Sequence, residues 1–242
     1  MIGLGTLINT VLIILGGAVG LLFGKHMNQR LQETLNMANG VSVLFIGISG
    51  AMTGMLQAAS NGSLSSISSM LVVLSLAFGA VVGELINIEG AFERFGEWLK
   101  IKTGNAKDKD FVNGFVTASL TVCIGAMAIV GSIQDGILGD YTTLAIKGIL
   151  DFIIIMVMTC SMGKGCIFSA IPVFALEGGM TLLSKLIEPI MTDAALFNLS
   201  TVGSNLIFCV GLNLVWGKRV RVANLLPSIV FAVIIAFLPI AL

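Results

Sequence analysis

The sequence predicts an all-α fold: a polytopic bundle of about eight transmembrane helices in a single domain, 1–242. Three observations carry this reading. Of 242 residues, 56% are apolar and only 11% are charged. The mean hydropathy is +1.02. The apolar residues fall in runs close to the roughly 20 residues that a helix needs to cross a bilayer. An ordinary globular domain carries about 25% charged residues. A surface this poor in charge is not kept in water, which excludes a soluble enzyme, a nucleic-acid binder and a disordered chain. Membrane β-barrels need segments of about ten residues with alternating hydrophobicity, and these runs are continuous and longer.

Taken in order, the runs cover 2–24, 38–58, 66–86, 111–133, 143–161, 166–187, 201–216 and 222–242. The first has no basic stretch ahead of it and ends in a basic loop, unlike a cleaved signal peptide. The loops between runs alternate in charge. Lys25 and Arg30 follow the first run, and Arg94, Lys100, Lys102, Lys107 and Lys109 follow the third. Lys164 follows the fifth, and Lys218, Arg219 and Arg221 follow the seventh. Eleven of the thirteen Lys and Arg thus fall on one side. The positive-inside rule makes that side cytoplasmic, with both termini outside.

An internal repeat relates units of about 1–62 and 66–136. Gly17-Ala18-Val19-Gly20 is matched by Gly79-Ala80-Val81-Val82-Gly83. Each is followed by an amphipathic segment, with Met27, Leu31 and Leu35 on one face of the first and Phe92, Phe95 and Leu99 on one face of the second. Asn39-Gly40 is matched by Asn113-Gly114, Gly50-Ala51-Met52 by Gly125-Ala126-Met127, and Asn61-Gly62 by Asp135-Gly136. Both copies enter from the same side, so this is a parallel repeat of a helix, an interfacial helix and a second helix. The C-terminal hairpins are 143–187 and 201–242. Such repeats are common in transporters, although a duplicated hairpin also packs well without transport.

The chain has 29 Gly. Gly16, Gly20 and Gly24 share one helical face, where small residues let backbones approach closely. The sixth run contains Pro172 and then Glu177-Gly178-Gly179, which marks a discontinuous helix near 166–187. The fourth run ends in the polar, Gly-rich stretch 131–136.

Three charges stand inside runs away from their ends. Lys147 and Asp151 lie one helical turn apart on one face of the fifth run. Glu177 lies near the middle of the sixth, at similar depth. A buried charge costs at least about 2.5 kcal/mol on insertion scales, so these read as a functional site facing the bundle interior. Together they carry one net negative charge, which leaves a carboxylate for a proton or a cation. A static Lys–Asp pair that fixes packing is the rival reading. Asp135 is placed at the outer mouth. Asn9, Asn205 and Asn213 are intramembrane amides that either coordinate a cation or hold helices together.

One His and four scattered Cys offer no metal site. No nucleotide-binding loop and no HExxH motif occur, so neither a cofactor nor an ATP-driven mechanism is expected within the chain. The expectation is a non-enzyme.

The stretch from Thr121 to Gly136 resembles the central signature of the YdfK/YqgA-like bacterial membrane proteins, a domain of unknown function. Lys147 with Asp151, Phe168-Ser169-Ala170-Ile171-Pro172-Val173, Gly211-Leu212-Asn213 and the stretch from Arg221 to Pro227 fit the same pattern, as do Gly5-Thr6-Leu7-Ile8-Asn9 and Gly16-Gly17. The resemblance covers the whole chain and implies a bacterial inner-membrane protein with no established substrate. Glu177 departs from it, standing where the family pattern has a neutral polar residue such as Gln, and this favours Lys147 and Asp151 as the switchable pair.

The residues point to a secondary transporter, ion- or proton-coupled, of a small solute or ion, with its site near the membrane midplane. An oligomeric ion channel and a non-transporting scaffold or sensor remain open. The expected partners are the lipid bilayer, a small solute or ion and, for a channel, further copies of the chain. Nucleic acid is not among them.

Overall fold

The computed structural model describes residues 2–24, 26–58 and 64–238. The bundle is helical, and its only described strands form a three-residue antiparallel ladder, β1 (Leu56–Ala58) with β2 (Leu64–Ser66). The helices are α1 (Leu4–Gly24), α2 (Gln29–Met55), α3 (Ser69–Ile86), α4 (Ile88–Lys102), α5 (Phe111–Cys123), α6 (Ala126–Leu138), α7 (Thr142–Met162), α8 (Ala170–Leu182), α9 (Ser184–Ile187), α10 (Asp193–Trp216) and α11 (Pro227–Ile235). A 3-10 segment, Lys164–Ser169, leads into α8.

All eight expected runs are helical, but they do not make eight uniform spans. Six helices are long and apolar enough to cross a membrane, and the pair α5 and α6 counts as a seventh if taken as one bent span. The eighth run yields only the 3-10 turn Val222–Leu225 and the short α11. Its last residues, 239–242, lie outside the described residues. The helices turn large apolar side chains outward, among them Phe45, Val73, Leu85 and Leu182. In water such a surface would drive aggregation; against acyl chains it is solvated. The chain is therefore a multi-pass membrane protein.

The sharp break falls in the fourth run, not at Pro172 or Gly178-Gly179. Pro172 is the third residue of α8, where a missing N–H costs nothing, and the two glycines stay helical. The 166–187 segment is discontinuous in a milder way: 3-10 to α at Ala170, then a turn at Leu183. By contrast, α5 and α6 meet at 63°. The hinge is Gly125, whose φ of 152° suits glycine alone.

The two sequence-repeat units fold differently in detail. The first amphipathic segment is not a separate interfacial helix. Asn28 caps it, accepting from the Leu31 N–H at 2.9 Å, and it runs without a breaker into α2. In the second copy Asn87 and Gly104, both at positive φ, cut out α4 as its own helix. Gly50 stays inside α2, whereas its counterpart Gly125 is the hinge. Asn61-Gly62 lies outside the described residues.

Glycine sets the closest helix contacts. Helices α1 and α7 run parallel, and a Cβ on Gly16, Gly20 or Gly24 would strike the carbonyl oxygens of Phe152, Met156 and Cys160 in turn. Gly148 of α7 returns the favour, with Asn9 Cα 3.0 Å from where its Cβ would stand. The same logic joins α2 to α10 through Gly40, Gly47, Gly50, Gly54 and Gly211, and α3 to the α11 region through Gly79 and Gly83. Between these pairs lies the apolar core, with Ile13, Phe111, Phe115, Met158, Leu206 and Val210 near its centre.

The basic loops gather at one end. Lys164 Nζ donates to Asn105 Oδ1 at 3.0 Å, Lys218 pairs with Glu93 and, at 2.9 Å, with Glu89, and Arg221 pairs with Glu84 at 3.0 Å. Partial burial alone would lower the pKa of the Lys218 ammonium, but the Glu93 and Glu89 carboxylates outweigh it and the net shift is upward. The start of α4 is clamped to the α10–α11 loop. The Glu89 N–H donates to Asn224 Oδ1 at 2.7 Å, and the Ala223 N–H donates to Glu89 Oε2 at 3.0 Å.

At the opposite end, Asp135 of α6 accepts from the Gly3 and Gly5 N–H groups at 3.2 and 3.0 Å. Its carboxylate thus caps the positive end of α1 and is fully buried. Asp135→Ala should cost about 1–2 kcal/mol, read as a lower melting temperature in detergent. An unchanged melting curve would show that the cap is dispensable.

Candidate functional site

The candidate site forms where four helices converge between the Asp135 end and the middle of the bundle. At a rise of 1.5 Å per residue, Lys147 and Asp151 stand roughly 7 and 13 Å along α7. Both point to the seam between α1 and α8. Gly148, between them, lets α1 approach closely enough to bring in Asn9. Glu177 enters from α8 and the Val122 carbonyl from the end of α5.

Lys147 is the hub. Its ammonium pairs with Asp151, lies 3.4 Å from Glu177 Oε1, and donates to the Val122 carbonyl at 2.9 Å. Two of its three N–H donors are thus hydrogen-bonded, to Asp151 and the Val122 carbonyl, and Glu177 lies at ion-pair distance. Val122 lies in the last turn of α5, whose carbonyls have no helical partner once the chain breaks at Gly125. A cation at this negative helix end is favourable. Glu177 Oε1 also accepts from Asn9 Nδ2 at 2.7 Å. Farther toward the Asp135 end, Thr6 and Thr181 stand 3.5 Å apart between the same two helices.

The cluster is sealed. Asn9 is 0%, Glu177 1%, Asp151 4% and Lys147 6% exposed. Two of its oxygens have no partner: Glu177 Oε2 and Asn9 Oδ1. Both are acceptors. An unsatisfied buried acceptor costs about 1–3 kcal/mol, so the cluster favours an added donor or positive charge.

A cavity of about 610 Å³ opens from the end where the basic loops gather. Glu89, Glu93, Glu97, Asn113 and Lys218 line its upper part, and Val116, Leu120 and Val210 line its apolar part. Leu120 is two residues, about half a turn of α5, from Val122, whose carbonyl meets the Lys147 ammonium.

The structure therefore brings four of the expected residues together, namely Lys147, Asp151, Glu177 and Asn9, and leaves three apart. Asp135 caps α1. Asn205 donates through Nδ2 to the Thr201 carbonyl one turn earlier on its own helix at 2.9 Å. Asn213 ties down the loop after α10, donating to the Val220 carbonyl at 2.7 Å and accepting from the Arg219 and Val220 N–H groups at 2.8 and 2.9 Å. It also lines the cavity. Span 7 thus supplies neither of its amides to the cluster; spans 1, 5 and 6 supply the side chains, and the break in span 4 supplies the carbonyl. The Val122 carbonyl and Gly148 have no side-chain signal, and only the Gly125 break hints at the former.

A family profile described as "Protein of unknown function (DUF554)" matches residues 4–237. The chain is 30% identical over 233 residues to the uncharacterized membrane protein YdfK of Bacillus subtilis, covering 96% of this chain and 95% of that one. It is 25% identical over 233 residues to the uncharacterized protein YqgA of Escherichia coli, covering 95% and 94%. No solved structure matches the chain.

Proposed function

From the premise that the chain belongs to the DUF554 family of unknown function, we propose that it is a small secondary transporter. It moves a small solute or ion coupled to a proton or cation, through the site of Lys147, Asp151, Glu177 and Asn9. The observation that carries this is a sealed, intramembrane charge cluster that is one positive charge short. Lys147 balances one of two carboxylates, and two acceptor oxygens lack a donor. Packing alone does not require such expense. A cluster that lacks a positive charge suits a cation or proton better than an anion, because Lys147 is already flanked by two carboxylates.

The cavity supports a carrier over a channel: a 610 Å³ opening from the basic-loop end stops short of the site at Leu120, while the other side is packed shut around Asp135, Thr181 and Ser184. In this reading the structure corresponds to the state that opens toward the basic loops. The protein sits in a bacterial inner membrane with those loops in the cytoplasm and its termini outside. It works without a cofactor, and no step of the reading calls for enzyme chemistry.

The test is reconstitution of the purified protein into proteoliposomes with a pH dye inside. Under an imposed gradient, candidate cations and small metabolites are added in turn. At least one should move protons at a rate that saturates with its concentration. Steady currents in planar bilayers without coupled proton movement would favour a channel instead. No flux of any kind would leave the cluster a packing device.

A further inference from the structure

Within the cluster, the hydrogen-bond inventory singles out one atom. Asn9 Nδ2 donates to Glu177 Oε1 at 2.7 Å, which leaves the other carboxyl oxygen, Oε2, to be accounted for. The two atoms left without partners, Glu177 Oε2 and Asn9 Oδ1, belong to the same two side chains, with the Asn9 oxygen beside Gly148 of α7. A proton on Oε2 would turn this idle buried acceptor into an O–H donor and remove the uncompensated charge. We propose that Glu177 is the proton-binding residue of this protein, with Asn9 as its hydrogen-bonding partner, and that Lys147 and Asp151 form the fixed counter-charge beside it.

The charges agree. Lys147 and two carboxylates sum to one negative charge, and a proton on Glu177 brings the buried site to zero. Binding is a simple addition: Glu177 carboxylate plus one proton gives the neutral acid, and release returns that proton to water. A metal cation fits less well, because hard cations ask for about six or more oxygen ligands. Only two orphan oxygens are present, and no metal-grade group of side chains occurs among the described residues. The groups facing Glu177 are Asn9 and Thr6 from α1, Lys147 and Asp151 from α7, Thr181 on its own helix, and Cys123 of α5, whose thiol lies within reach of all three charges. Asp135 of α6 is committed to the start of α1.

The proposal names the coupling ion of the site read above, but its test does not need transport. The purified wild-type protein is titrated and followed by infrared difference spectroscopy, with either its Glu or its Asp carboxyl carbons labelled with carbon-13. A protonated-carboxyl band should appear as pH falls and move only with the Glu label. Glu177→Gln, which mimics the neutral acid in shape, should lose the band while melting at or above the wild-type temperature. Movement with the Asp label would overturn the assignment. So would the absence of any such band together with stabilisation by added sodium or potassium. If Glu177→Gln does not fold, the labelled wild type still decides between Glu and Asp, and Glu177→Asp, which moves the band to the Asp label, decides among the glutamates. A band that behaves as expected in a protein that moves no solute would uphold the proton site and refute the transporter.

Discussion

Asp151→Asn should abolish proton-coupled flux in proteoliposomes while leaving a folded protein. In the wild type, Lys147 keeps an ionised partner in Asp151 whether or not Glu177 holds a proton. Without Asp151, Glu177 is the only carboxylate left to balance Lys147. Protonating it would strand a buried ammonium, at a cost of about 3–5 kcal/mol. At 1.4 kcal/mol per factor of ten, the proton-loaded state becomes about a hundredfold or more rarer. Retained flux at wild-type rate and pH dependence would refute this role for the pair. Lys147→Met alone should be worse for folding, because it leaves two carboxylates in an apolar site. Combining it with Asp151→Leu and Glu177→Gln should recover stability without flux, since an apolar replacement of a whole ion cluster is often neutral or stabilising.

Gly20→Leu should separate α1 from α7. The new Cβ would meet the Met156 carbonyl oxygen and, at 2.9 Å, Thr159 Cβ. Backbone cannot swing aside as a side-chain tip can, so a loss of about 1–3 kcal/mol or more is expected. Because α1 carries Asn9, the shift would also pull the amide from Glu177 and weaken proton binding. The control is Gly179→Ala, whose Cβ would meet nothing within 4 Å inside a regular stretch of α8. It should be neutral or stabilising by about 0.5–1 kcal/mol. Equal melting temperatures for the two variants would show that the α1–α7 approach is not governed by glycine.

These expectations rest on features of unequal visibility in the sequence. Gly16, Gly20 and Gly24 announce a close face through their spacing alone, because a helix repeats its faces every three to four residues. Their partner, the backbone of α7 from Phe152 to Cys160, has no signature, since any residue offers a carbonyl. Lys147 and Asp151 are legible as a pair because they share one helix. Glu177 is recognisable as a buried charge, yet the family resemblance and the spacing both favour Lys147 and Asp151 as the switch. Their roles divide only when Lys147 is seen hydrogen-bonded to Asp151 and Val122 and Glu177 with an idle oxygen. Asp135 misleads in the sequence: a carboxylate at the end of a span looks like a mouth, but here it closes the exposed N–H groups of a helix more than a hundred residues earlier in the chain.

By itself the sequence determines the membrane, the helical class, the polarised loops and the presence of charges that a bilayer does not tolerate idly. These follow from composition and local period, which are properties of each segment alone. Tertiary structure decides where the chain breaks, which of the seven polar candidates meet, and which oxygen is left wanting a proton. Gly50 and Gly125 occupy matching places in the repeat, yet only Gly125 becomes a hinge, for Gly50 is held helical against Ser204 of α10. Contacts between distant segments satisfy or deny each polar group, and that accounting exists only once the helices are packed.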